Sequence, residues 1–235
     1  MPSSDCWSEF IASVRSGCCT HEKYRKIRKG VEPWNAYELE RPKEFNKGLL
    51  FLLEAPPGGS DHFFWNPNTP DRLRKRIFDL LREVKTAPKF SAPDRFIQEL
   101  LESNCYLLPA FSYACAEGHK NSNPTRSMVE HSARVHLPLA LACLKPRIVV
   151  LMGEKALFAG KTMDLVNGGN KRARLTDYLS TTPYPSEKLG FHVDTFVTSW
   201  PTKRYVIKKE GVKLSVYRDY LIPTLIYAFQ LLIKE

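Results

Sequence analysis

With 235 residues, 43% of them hydrophobic and 26% charged, the chain has the material for one sizeable core and reads as a single domain, 1–235. No apolar run reaches membrane-spanning length, and the first residues lack the basic start and apolar core of a secretory signal, so a cytoplasmic chain with no membrane partner is expected. The formal net charge of +10, from 35 Lys+Arg against 25 Asp+Glu, points to a polyanion, of which nucleic acid is the commonest because Lys and Arg release its condensed counterions.

In chain order, residues 5–16 place Trp7, Phe10, Ile11 and Val14 at helical spacing. A basic, turn-rich segment follows. Residues 48–53 then form a continuous apolar run, as in a strand buried on both faces of a parallel sheet. Residues 54–61, rich in Pro and Gly, are a loop. Thr69 and Pro70 suit the cap and first turn of a helix carrying Leu73, Ile77, Leu80 and Leu81. A short helix over 94–102 leads to a strand at 105–108 and a polar loop over 117–126. Residues 127–143 form a helix that Pro138 divides or kinks. The clearest strand and turn is 146–153, with a helix starting at Glu154. A strand at 196–198 and a last helix over 217–233, interrupted near Pro223, complete the pattern. Strands alternating with helices predict an α/β fold whose mostly parallel sheet is covered on both faces.

The six cysteines, Cys6, Cys18, Cys19, Cys105, Cys115 and Cys143, form no CxxC pair and are expected as free thiols in a reducing compartment. His131 and His136 are five residues apart, which does not set two metal ligands side by side on one helical face. Neither metal nor cofactor is expected.

Ligands of open α/β sheets gather beyond the carboxyl ends of the strands. Four such ends, at 54–61, 109–115, 153–155 and 199–204, should share one side of the molecule. Glu54 and Asp61 bracket the first loop, and a carboxylate there can orient water or stabilise a developing cation. Phe63 and Phe64 follow, and aromatics can stack on a base. Ser199, Trp200, Thr202, Lys203 and Arg204 combine hydroxyls, an aromatic and two cations, a set suited to phosphate contact beside an extruded base. Lys171 and Arg172, in a Gly- and Asn-rich stretch, are further candidates for DNA contact.

The ordered loops resemble the uracil-DNA glycosylase superfamily, above all the branch with a Gly-Glu-Ala-Pro-Gly motif. Leu53-Glu54-Ala55-Pro56-Pro57-Gly58 is similar to that motif, residues 144–156 to the family's Pro-strand-Gly-helix segment, and 198–202 to its His-Pro-Ser motif. The resemblance covers about 48–205. It implies a three-layer α/β/α fold with a central, mostly parallel four-stranded sheet. It also implies an enzyme that extrudes a nucleotide and hydrolyses its N-glycosidic bond, and a monomer is expected. In that frame Glu54 or Asp61 steers water, Phe64 is the base platform, and Phe63, Pro109, Phe111 and Trp200 line the base site.

The departures are specific. Trp200 replaces the motif histidine, Leu53 replaces the glycine before Glu54, and no Asn stands near 109–112 to read a uracil edge. The branch's four-cysteine iron–sulfur ligation does not fit the spacing of Cys18, Cys19 and Cys115, with His131 standing roughly where a fourth cysteine would. Losing groups built to pair with one base predicts a different substrate. A modified pyrimidine such as hydroxymethylated or glucosylated cytosine of phage DNA is therefore expected, in an antiviral role. The competing readings are an inactive DNA-binding member of the superfamily and an α/β enzyme acting on free nucleotides.

Overall fold

The computed structural model describes residues 4–20, 45, 47–54, 64, 72–111, 125–167, 174–200, 206–209 and 212–233. Helix α1 spans Ser4–Thr20, and strand β1 spans Leu49–Leu53, whose five residues are all buried. Helices α2 (Arg72–Glu83) and α3 (Phe96–Glu102) lead to β2 (Cys105–Pro109). Helices α4 (Arg126–Val135) and α5 (Leu137–Leu144) lead to β3 (Ile148–Met152), which runs into α6 (Glu154–Thr162). Strands β4 (Tyr184–Ser186) and β5 (Val193–Thr198) follow, then β6 (Val206–Lys209) and β7 (Val212–Ser215). A π-helical turn at Tyr217–Leu221 opens into α7 (Ile222–Ile233).

The main sheet has the order β2-β1-β3-β5-β4. Its first four strands are parallel, and β4 is antiparallel to β5. The α/β class with a mostly parallel sheet is therefore present, but the sheet has five strands rather than the expected four. The extra strand is three residues long and contains Pro185, which cannot donate to a ladder and is tolerated only at an edge. A strand that short, with a proline at its centre, carries no period-two signal.

Helices cover both faces. Gly160 of α6 lies so close to Leu151 of β3 that a Cβ there would collide with it. On the neighbouring strand Phe196, in register with Val150, meets Tyr227 of α7 with ring centroids 5.9 Å apart. Successive side chains of a strand point to opposite faces, so α6 and α7 lie on opposite sides. Trp7 of α1 packs on Tyr106 at 5.9 Å, and the register Tyr106–Leu50–Val149 puts α1 on the side of α6.

The expected division near Pro138 falls at His136, two residues before the proline, between α4 and α5. Because the helix does not continue through His136, the His131 and His136 rings come within 5.4 Å. No group of three or more potential metal ligands occurs among the described residues.

His136 is buried and shares a 2.7 Å hydrogen bond between Nδ1 and Ser13 Oγ of α1. Burial, and secondarily the neighbouring His131, lowers its pKa from 6.5 to about 4. The unfolded chain therefore takes up a proton that the folded chain refuses between those values. Stability should fall as pH drops from 6.5 towards 4. Thermal unfolding across that window should show a shallower fall in Tm for His136→Gln than for the parent. Equal slopes would remove His136 from the account.

Cys6 and Cys143 are bonded to each other, linking α1 to α5, with Cα atoms 5.7 Å apart. This corrects the free-thiol expectation for these two residues. The 137-residue separation hides the pairing from any reading of local spacing. Cys105 is free and buried in β2, where burial pushes its thiol up to about 12, leaving it an inert core side chain. No helix among the described residues is long and apolar enough to cross a membrane.

Candidate functional site

The parallel strands β1, β2, β3 and β5 carry their carboxyl ends to one edge of the sheet. Backbone hydrogen bonds continue the ladder there. The N–H of Phe111 donates to the Glu54 carbonyl at 3.1 Å, and that of Gly153 donates to the Thr198 carbonyl at 3.0 Å. Glu54, Pro109–Phe111, Gly153 and Thr198–Trp200 thus share one edge, as the positions of the loops predicted.

The connection leaving β1 runs to β2 on one side, whereas β3 connects onward to β5 on the other. The strand order therefore reverses between β1 and β3, the place where open α/β sheets open a crevice for ligands. Glu54 follows β1 at this point. Its carboxylate lies beside Gly153 at the first turn of α6, where the backbone N–H groups of Lys155 and Glu154 favour its charged form. Those N–H groups have no partner inside the helix, and the positive end of the helix dipole favours an anion beside them.

Gly153 makes this approach possible. Its φ of 100° is a conformation that L side chains rarely adopt, and a Cβ there would stand 2.9 Å from Glu54 Oε1. Opposing influences act on the Glu54 carboxyl. Burial raises its pKa above the usual 4.5, while the Lys155 ammonium and the two N–H donors pull it down. Burial prevails, and the group is held above the ordinary carboxylate range.

The remaining residues divide by placement. Phe64 is buried with its ring edge-on to Phe96 at 6.2 Å, and its carbonyl accepts from Arg74 Nη1 at 3.2 Å. Phe111 is wholly buried. These two rings belong to the core rather than to an open face, so stacking on a base would require them to be uncovered. Pro109 closes β2 opposite Leu53. Ser199 is buried, and its Oγ donates to the Trp200 carbonyl at 3.2 Å, so its hydroxyl is engaged with its own chain. Trp200 is half-buried against the core. The Thr198 hydroxyl is buried at the same strand end without a hydrogen-bond partner. Asp61, Phe63, Lys171, Arg172, Thr202, Lys203 and Arg204 lie outside the described residues.

Sequence reasoning identified the turn at 153–155 but not its role. Lys155 and the α6 N-terminus hold the Glu54 carboxylate from about a hundred positions along the chain. The available signal was a glycine directly between an apolar strand and a helix, which marks a close backbone approach. No protein-family model matches the chain, and no curated protein matches it.

Proposed function

We propose that this protein is a DNA glycosylase that extrudes a modified pyrimidine and hydrolyses its N-glycosidic bond, leaving an abasic site. The observation that carries the reading is the half-buried Glu54 carboxylate at the point where the strand order reverses, beside the ends of β2 and β5. Cleavage of a glycosidic bond develops positive charge on the sugar and negative charge on the leaving base. A carboxylate in that crevice can hold the attacking water and offset the sugar's charge. A mostly parallel sheet between helix layers is the general α/β class to which the implied fold belongs, the net charge of +10 suits a polyanionic substrate, and the lack of an Asn near 109–112 favours a base other than uracil.

The test is mass spectrometry of the small molecules released from DNAs containing uracil, hydroxymethylcytosine, glucosylated cytosine or unmodified bases. Release of a modified cytosine, with an alkali-labile site left in the strand, is expected. Release of uracil alone would overturn the modified-base reading, and release of nothing would overturn the enzyme.

One observation favours a second reading, an inactive DNA-binding protein. The Glu54 carboxylate already closes the first turn of α6, a structural task that needs no reaction.

A further inference from the structure

From the pairing of β6 with β7 we infer that the hairpin Val206–Ser215 is a second DNA contact, a basic ribbon that lies against the phosphates of duplex DNA beside the site. The inference rests on the proposed DNA substrate and adds an element that the sequence motifs did not include. The two strands form a sheet of their own, separate from the five-stranded sheet. Their register sets Lys208 opposite Lys213 and Val206 opposite Ser215. Residues directly opposite share a face, and like charges so placed destabilise a strand pair. A register that sets two lysine positions opposite each other is one that an anion on that face would favour.

That face is turned to solvent. Val206 is 55% exposed, and Lys213 is exposed. The opposite face holds Ile207, which packs against the core, and Leu214, which is half-buried. Anchored on one side, the ribbon presents the other. Residues 203–213 contain Lys203, Arg204, Lys208, Lys209 and Lys213 against Glu210 alone. The hairpin also begins close to the candidate site. Five residues separate Trp200 from Val206, and the six chain steps can span at most about 20 Å. The partner's chemistry follows from shape as well as charge. The major groove of B-form DNA is about 12 Å wide and admits a two-stranded ribbon, whereas that of A-form RNA is too narrow.

The experiment uses the full chain and the double variant Lys208→Gln/Lys213→Gln, with unfolding curves first showing that both fold. Binding to an unmodified DNA duplex is measured by fluorescence anisotropy over a series of salt concentrations, and base release is measured on the same preparations. Removing two phosphate contacts should make the slope of log K against log salt shallower by about 1.8. An unchanged slope, or tighter binding of the parent to duplex RNA of the same sequence, overturns the inference. So does a variant that merely forms larger species in size-exclusion chromatography, since lysines on exposed strands can also serve to prevent edge-to-edge association. The two proposals fail separately. Base release with an unchanged slope sinks only the ribbon, whereas a shallower slope with no base released sinks only the glycosylase.

Discussion

Glu54→Gln should fold as well as the parent and release base at least about a hundredfold more slowly. Glutamine keeps an oxygen that can accept from the N–H groups of Glu154 and Lys155, so the first turn of α6 remains satisfied. What it loses is the negative charge. Because burial holds the Glu54 carboxyl above its ordinary 4.5, the folded chain keeps that proton to a higher pH than the unfolded chain does. Ionising it therefore subtracts stability as pH rises through its folded value, and a neutral side chain is spared that loss. Glu54→Gln is accordingly expected to match or exceed the parent in Tm near neutral pH. The parent's kcat/KM should rise with pH as Glu54 ionises, with its inflection above 4.5.

Glu54→Ala separates the two tasks of the side chain. It leaves the α6 N–H groups without their acceptor and should cost about 1–2 kcal/mol, by analogy with the loss of a helix cap. In a chain of this length that lowers Tm by about 2–4 °C per kcal/mol. Full base release by Glu54→Gln, with loss of stability confined to Glu54→Ala, would reduce the carboxylate to a helix cap and favour the binding-only reading.

Breaking the Cys6–Cys143 link should be the largest single loss of stability, about 2–4 kcal/mol, since the bond closes a long stretch of chain. Cys143→Ser measured without reductant should unfold at a clearly lower temperature than the parent. With reductant present the two should converge. A parent whose Tm is indifferent to reductant would show that the thiols are free in solution, as the amino-acid pattern alone suggested. The bond and the Ser13–His136 hydrogen bond both tie α1 to the same broken helix pair, α4 and α5. Loss of either should therefore be felt first as looser docking of α1, which amide exchange along Ser4–Thr20 would register.

The central strands were legible because burial on both faces removes polar residues from them. Leu49–Leu53, Cys105–Pro109 and Ile148–Met152 stand out as apolar runs. Strand β5 was only half visible, since Asp194 and Thr195 interrupt its apolar pattern near the edge. The β6–β7 hairpin was missed because its four-residue strands are rich in lysine and too short to show a sustained alternation. At the site, the edge of the sheet followed from the alternation of elements, which fixes where the parallel strands end. The partners of Glu54 did not, because contact between β1 and α6 depends on strand order. Strand order is set by helix packing across the whole sheet and by no local pattern. The same holds for the bond between Cys6 and Cys143 and for the meeting of His131 with His136.

The Pro185 strand has one more effect. An incoming strand from another molecule would find, along that border, three residues and a missing donor. The proline ring itself discourages further growth of the sheet there. Self-association of this chain through that border is disfavoured.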